Sequence, residues 1–292
     1  MIIDQASSLR RLMRQATVET AEDRRPPAPA RVLAVTSGKG GVGKTNVAVN
    51  LAARLATMGR RILLMDADLG MANADVLCNL NVRTTLAHVL TGRRTLSDVM
   101  IDGPGGFTLI PGVSGLAAIA DLSEFERARM LDLLTQLEDE YDLVIIDTGA
   151  GISPNVLNFV EAADEVLVVT TPEPTAITDA YGLIKTICRR REGAEFSILI
   201  NQVRDSREAR RVFDRIDLVC RRFLGVRATN AGCVPLDPHV SAAVRRREPF
   251  VIGAPDCPAS GYVRQLAHKL DRHAAEPRDG GFFKKFASWL AG

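Results

Sequence analysis

Residues 38–45 read Gly38-Lys39-Gly40-Gly41-Val42-Gly43-Lys44-Thr45, and they join a short apolar run to a stretch of helical periodicity. The run is Val32–Thr36, and the helical stretch is Thr45–Met58, closed by Gly59. Glycines packed this densely let backbone N–H groups curl around an anion, and the helix that follows adds its positive dipole end. The spacing G-x-x-x-x-G-K-[ST], with a strand before it and a helix after it, is that of a phosphate-binding loop. In such a loop Lys44 brings charge to the outer phosphates, and Thr45 offers its hydroxyl to Mg²⁺.

The chain keeps alternating beyond the loop. Ile62–Met65, Thr108–Ile110, Leu143–Ile146, Val166–Thr170 and Ile198–Ile200 are short, β-rich and apolar on both faces, as buried parallel strands are. Helical patterns fall near 123–140, 154–163, 175–191, 207–224 and 259–273. The alternation predicts an α/β P-loop NTPase over residues 31–274, with a mostly parallel sheet covered by helices on both faces.

At 292 residues, 46% hydrophobic and 25% charged, whole-chain disorder is excluded. The net charge is +2, from 37 basic and 35 acidic residues, so no direct nucleic-acid binding is expected. The five cysteines are Cys78, Cys188, Cys220, Cys233 and Cys257. They are odd in number, widely spaced and without a C-x-x-C pair, so reduced thiols are expected. The histidines do not cluster with them at zinc spacing. No apolar run approaches the ~18 residues of a spanning helix. The start, Met1-Ile-Ile-Asp-Gln-Ala, has no basic region followed by an apolar stretch, so a cytoplasmic chain is expected.

Two segments place carboxylates at strand ends. In Ile62-Leu-Leu-Met-Asp66-Ala-Asp68 the spacing of two puts both side chains on one side of an extended chain. One then serves a Mg²⁺ shell while the other faces the terminal phosphate. In Leu143-Val-Ile-Ile-Asp147-Thr-Gly-Ala-Gly151 a buried run carries Asp147 to the edge of the sheet where ligands of open α/β sheets bind. Asp147 is expected to hold Mg²⁺ through water.

Both ends differ from the middle. Asp4 caps a short amphipathic pattern with Ala6, Leu9, Leu12, Met13 and Ala16 on one face, so residues 1–23 read as a helical arm. The proline-rich stretch from Arg24 to Arg31 cannot continue a helix, and residues 24–30 read as an extended spacer. After a polar linker at 275–281, residues 282–292 put Phe282, Phe283, Phe286, Trp289 and Leu290 within an arc of about 120° at 100° per residue. Lys284, Lys285 and Ser288 lie opposite, the pattern of a helix that rests on an anionic membrane surface. Burying five large side chains is worth at most ~10 kcal/mol. Ordering the segment costs about as much. A single copy therefore binds marginally, and a dimer doubles the anchors.

The loop's second lysine, Lys39, makes the sequence resemble the deviant Walker A ATPases of the MinD/ParA class, whose loop reads K-G-G-x-G-K-[ST]. The resemblance implies ATP as ligand with Mg²⁺, and a homodimer that sandwiches ATP with Lys39 reaching the partner's phosphates. It implies that Asp68 orients the attacking water, that Asp66 serves the Mg²⁺ shell, and that Gly149 and Gly151 sense the γ-phosphate. Asn201 stands where the family contacts adenine, and Gly232-Cys-Val-Pro235-Leu-Asp237 resembles the loop that covers the base. The nitrogenase iron protein shares the loop but needs cluster cysteines, and no cysteine lies between Cys78 and Cys188.

At the N-terminus, Asp4-Gln5-Ala6-Ser7-Ser8-Leu9-Arg10 is similar to the D-Q-A-x-x-L-R motif of the FlhG (FleN) family, MinD-like regulators of flagellar number. Asp66-Ala-Asp-Leu-Gly-Met-Ala-Asn73 also looks like that family's version of the segment. The resemblance implies an arm that docks on the SRP-type GTPase FlhF and stimulates it, with Gln5 reaching the partner's active site. It implies a slow ATPase, cytoplasmic and peripheral on the inner membrane face when ATP-bound. Flagellar C-ring proteins or a flagellar transcription regulator are further partners it brings into view. Two other readings stand beside it. One is a division-site or cargo-positioning ATPase of the same class. The other is an antiactivator of a transcription regulator with ATP as conformational ligand only.

Overall fold

The computed structural model describes residues 29–68, 72–112, 124–191, 193–273, 281–283 and 285. The N-terminal motif residues Asp4, Gln5, Ala6, Leu9 and Arg10 lie outside them, as do Phe286, Trp289 and Leu290. The elements in chain order are β1 (Arg31–Ser37), α1 (Lys44–Thr57), β2 (Ile62–Ala67), α2 (Ala74–Leu77), α3 (Leu86–Leu90), β3 (Ile101–Asp102) and β4 (Thr108–Ile110). There follow α4 (Glu124–Glu140), β5 (Leu143–Ala150), α5 (Pro154–Ala162), β6 (Glu165–Thr170), α6 (Pro174–Arg190), β7 (Phe196–Val203) and α7 (Ser206–Leu224). The last are β8 (Thr229–Pro235), α8 (Pro238–Arg246), α9 (Phe250–Gly253) and α10 (Pro258–His273).

The strands form one eight-stranded sheet in the order β3-β4-β2-β5-β1-β6-β7-β8. Every pair is parallel except β3 with β4. Alternate residues of each central strand feed opposite faces. Val32, Ala34, Val144, Ile146, Val166 and Val168 pack under α4, α5, α6 and α7. Leu33, Val35, Leu64, Ile145, Leu167 and Val169 pack under α1, α9 and α10. The apolar-on-both-faces runs of the sequence arise from this double cover.

Local chemistry sets the helix ends. Proline opens α5, α6, α8 and α10, where its missing N–H would have no intrahelical partner. Asp205 caps α7 by accepting the Glu208 N–H, and Gly225 in the left-handed region closes it.

The C-terminal segment departs from the expectation of a free amphipathic helix beyond a linker. Phe282 and Phe283 are buried in the core of the domain, edge to face at 4.9 Å, and Gly281 is buried with them. They complete the layer that holds Leu134 and Leu137 of α4 and Phe159 and Val160 of α5. In this state the two rings find apolar cover on their own domain, so the anchoring arc is divided. No described helix is long and apolar enough to cross a membrane.

Candidate functional site

The site sits at the C-terminal ends of β1, β2 and β5, where the loop from Gly38 to Gly43 crosses into α1. Two glycines of that loop are fixed by their surroundings. A Cβ on Gly38 would stand 2.2 Å from the Asp179 carbonyl of α6, so the loop passes flush against that helix. Gly43 has φ +86°, and a Cβ there would stand 2.4 Å from Asn201 Nδ2. The N–H groups of α1's first turn open onto the loop, which is what makes it an anion cradle.

Beneath the loop, parallel register sets Asp66 of β2 directly beside Asp147 of β5. Lys44 reaches down to them, with its Nζ 2.7 Å from Asp147 Oδ1. Asp147 Oδ2 is buried without a hydrogen-bond partner. Burial pushes the Asp147 carboxyl up from its ordinary value, opposed by the Lys44 charge and by hydrogen bonds from Lys44 and Thr45. Asp66 is pushed up to about 6, first by burial and then by the Asp147 charge beside it. Its oxygens accept the N–H groups of Asp68, Asn73 and Ala74, which favour the charged form and tie β2 to α2.

A cation fits this donor set. The unpaired Oδ2 of Asp147, the repulsion between two buried carboxylates and the Thr45 hydroxyl beside them all favour added positive charge. Mg²⁺ takes one or two carboxylates plus phosphates and water, not a closed protein cage. Among the described residues no group of three or more His, Cys, Asp or Glu side chains could hold a metal ion. Asp68 stands further out, its Oδ1 3.7 Å from where a Cβ on Gly149 would stand. The end of β2 and the Gly149–Gly151 stretch therefore lie close together.

Lys39 is turned back onto its own chain. Its Nζ lies 2.9 Å from Glu173 Oε2 and 3.0 Å from Thr175 Oγ1, both at the start of α6. The resemblance implies that Lys39 reaches a partner's phosphates; in the state described its partners are in the same chain. Lys39 and Glu173 are both well exposed, so the pair is weak and exchangeable.

Asn201 serves the loop. Its Nδ2 donates to the Val42 carbonyl at 2.8 Å, and its Oδ1 accepts the Gln202 N–H at 2.9 Å. Both ends of the amide are thus engaged by backbone, where a base contact was expected. Asp237 is likewise a scaffold residue here. Its Oδ1 accepts the His239 N–H and its Oδ2 the Ala259 N–H, so one carboxylate ties the start of α8 to the start of α10. Burial works against its charge, yet those N–H groups hold it below the ordinary carboxylate range. Pro235 ends β8 opposite Val203.

Two further residues stand at this end of the sheet, and one of them, Leu236, lies inside the segment that resembles the loop covering the base. Gln202 holds φ +58°, a left-handed conformation uncommon for a side chain of this size. Its Nε2 comes within 3.9 Å of a Cβ position on Gly43. Leu236 is 69% exposed beside Pro235. A positive φ cannot be read from a single residue letter, and a lone leucine after a proline is common.

Fold and site together define a P-loop ATPase of the MinD/ParA type. A family model described as an AAA domain matches residues 30–199. The chain belongs to the FleN/FlhG family, the MinD-like ATPases associated with flagellar number. It is 44% identical to the antiactivator FleN of Pseudomonas aeruginosa over 262 residues, 90% of this chain and 94% of that one. It is 33% identical to the flagellum site-determining protein YlxH of Helicobacter pylori over 301 residues, 98% and 99% of the two chains. Among solved structures it matches the septum site-determining protein MinD complexed with Mg-ADP from Pyrococcus horikoshii. That match has a TM-score of 0.67 and 24% identity, and covers 86% of this chain and 100% of that one. As a member of this family the chain is an ATPase that works on ATP with Mg²⁺.

Proposed function

We propose that the chain is an ATP-driven dimerising switch that controls flagellar number and placement. The observation that carries this reading is the contrast between the two lysines of one loop. Lys44 is buried on Asp147, committed to its own site, while Lys39 is 39% exposed at the rim on an exchangeable pair. A second protomer meeting this rim gives Lys39 a stronger anion, the phosphates of the partner's ATP, in place of Glu173. Ile152, 56% exposed beside the same rim, adds apolar surface for that contact.

In this reading Gly38, Gly40, Gly41, Val42 and Gly43 lay their backbone around the phosphates, and Lys44 leaves Asp147 for them. Thr45, Asp66 and Asp147 hold Mg²⁺, which supplies charge neutralisation at the phosphate oxygens when bound. Asp68 orients the attacking water; as its oxygen bonds to the γ-phosphorus, the bond from that phosphorus to the β–γ bridging oxygen breaks, ADP leaves, and the released phosphate carries the water's protons. Leu236 and Gln202 are the residues that would meet the base, with Asn201 holding the loop at Val42.

The ends carry the output. The residue 1–23 arm stimulates the SRP-type GTPase FlhF through Gln5, tethered by the proline-rich spacer. The C-terminal segment, with Phe282 and Phe283 withdrawn in the state described, engages anionic membrane when the dimer forms and is reached cooperatively by both copies. The relative named an antiactivator supports a second output, restraint of a flagellar transcription activator, and C-ring proteins remain partners of the same reading.

Asp68→Ala tests the switch. The variant is expected to bind ATP and to accumulate as a dimer by sedimentation, bound to anionic liposomes. Loss of ATP binding would place Asp68 in the binding shell, and an ATP-bound monomer would remove the dimer from the mechanism.

A further inference from the structure

The two ends of the described chain meet on the same two acidic residues. In the last turn of α4, the Glu138 carbonyl accepts the Ala30 N–H at 2.6 Å. The side chain of that residue accepts the Phe283 N–H at 2.9 Å through Oε1. Where α5 gives way to β6, Asp164 Oδ2 accepts the Val32 N–H at 2.9 Å. Its Oδ1 lies 3.9 Å from Lys285 Nζ. The Asp164 N–H returns a bond to the Val32 carbonyl at 3.0 Å, which locks this junction to the start of β1.

Glu138 is only 2% exposed. Burial pushes its carboxyl up, and the N–H groups of Phe283 and Gly281 work the other way. If the C-terminal segment leaves, a buried carboxylate loses its donors. An unsatisfied buried acceptor is unfavourable by far more than an exposed one, so Glu138 must turn outward or take up a proton. Either change disturbs the turn of α4 that holds Ala30. Phe282, Phe283, Ala30 and Val32 also belong to the same apolar cluster.

We propose that Glu138 and Asp164 act as one clasp that fastens the C-terminal segment and the entry to β1 together. Release of Phe282 and Phe283 then loosens Ala30–Val32, the seat from which the N-terminal arm departs. Coupling of this kind is reciprocal, so strain on the arm's seat also favours release of the C-terminal segment. An apolar surface bearing anionic groups is suited to draw off the segment, given its paired phenylalanines and Lys285. Such a surface would change how the N-terminal arm is presented to a partner without touching it. The clasp itself rests on the docked geometry, and holds whatever removes the segment.

The test uses the full chain with Phe283→Asp. Tryptic cleavage after Lys285 reports release of the segment. Amide exchange at Ala30 and Val32 reports the other side of the clasp, and Leu64 and Ile145 report opening of the sheet as a whole. The expected result is rapid cleavage together with exchange about tenfold faster at Ala30 and Val32, the size of one lost net hydrogen bond, with Leu64 and Ile145 unchanged. Rapid cleavage with wild-type exchange at Ala30 and Val32 would overturn the clasp, and so would equal acceleration at all four amides. If Phe283→Asp does not fold, Lys285→Glu, on an exposed side chain, is put through the same comparison, with cleavage read after Lys284 and the same overturning results. Liposome binding is not a readout, so failure of the membrane reading leaves this test standing.

Discussion

Lys44 Nζ and Asp147 Oδ1 lie 2.7 Å apart in the floor of the site, with both side chains almost wholly withdrawn from water. In the proposed function this pair stands where phosphate and cation are to be taken up. Nucleotide therefore does not enter an open charge pocket. It exchanges one set of partners for another, and the lysine is satisfied before and after.

Removing one member of such a pair leaves the other buried and uncompensated. Asp147→Ala is expected to destabilise the nucleotide-free protein by about 3 kcal/mol. Replacing both, as Lys44→Met with Asp147→Leu, should recover much of that loss, since two apolar side chains need no partner. Urea unfolding of the three variants in EDTA decides it. Equal midpoints for Asp147→Ala and wild type would mean that the pair adds nothing.

Asp66 gives the metal-free protein a pH dependence of a definite sign. Its folded value, about 6, stands above the ordinary 3.8. The folded state therefore holds this proton more tightly, so the group favours folding below the ordinary value. That contribution is lost as pH rises through 6. The whole effect is bounded at about 3 kcal/mol, at 1.36 kcal/mol for each tenfold change in proton affinity. Asp66→Asn removes it, although the amide gives up one of the acceptor oxygens. Relative to wild type, the variant should gain about 2 kcal/mol of stability between pH 4.5 and pH 7.5, since part of the bound is already spent below pH 4.5. A difference that does not change with pH would show that Asp66 titrates as an ordinary carboxyl.

Gly38→Ala should be severe for a small change. The added methyl would meet the Asp179 carbonyl at 2.2 Å, and both sides of that contact are backbone. Overpacking of this kind is destabilising by about 1–3 kcal/mol. Because the strain sits in the loop itself, ATP affinity should fall as well. Thermal unfolding with and without ATP measures both, and a wild-type melting point would mean that α6 can retreat.

The neighbouring amides should separate by experiment. Asn201→Ala loses a bond to the loop carbonyl, which should lower stability by about 1 kcal/mol and weaken ATP and GTP alike. Gln202→Ala leaves the loop bonded and should narrow the preference for ATP over GTP, with little change in stability. Competition with a fluorescent ATP analogue supplies the readout. Unchanged discrimination in Gln202→Ala would return base recognition to other residues.

The loop, the central strands and the long helices were legible because each depends on local pattern. Val32–Thr36 needs only to be apolar on both sides, and α7 shows its cap, its stripe and its closing glycine in the letters themselves. β8 was missed as a strand. Its Thr-Asn-Ala-Gly-Cys-Val-Pro carries residues that break strands, and only pairing with β7 holds it extended. The same limit applies to the site. Asp66 and Asp147 could be placed at strand ends, but their side-by-side register comes from the order of the sheet. That Asn201 faces Val42, or that Phe282 turns inward, depends on surfaces brought together from more than 100 positions apart.

Both borders of the sheet are closed to further strands. At one, β3 is two residues long and runs against its neighbour, too short to template an added chain. At the other, the register of β8 against β7 shifts between Ile198 and Leu199, and two polar groups of β8 are engaged by side chains. Lys269 Nζ donates to the Ala231 carbonyl, and the Gly232 N–H donates to Asn230 Oδ1. A protein that gathers at one place in a cell must tolerate crowding with its own copies. With both borders blunted, edge-to-edge strand addition under crowding is disfavoured, and in the proposed function self-association is left to the nucleotide rim, where hydrolysis would reverse it.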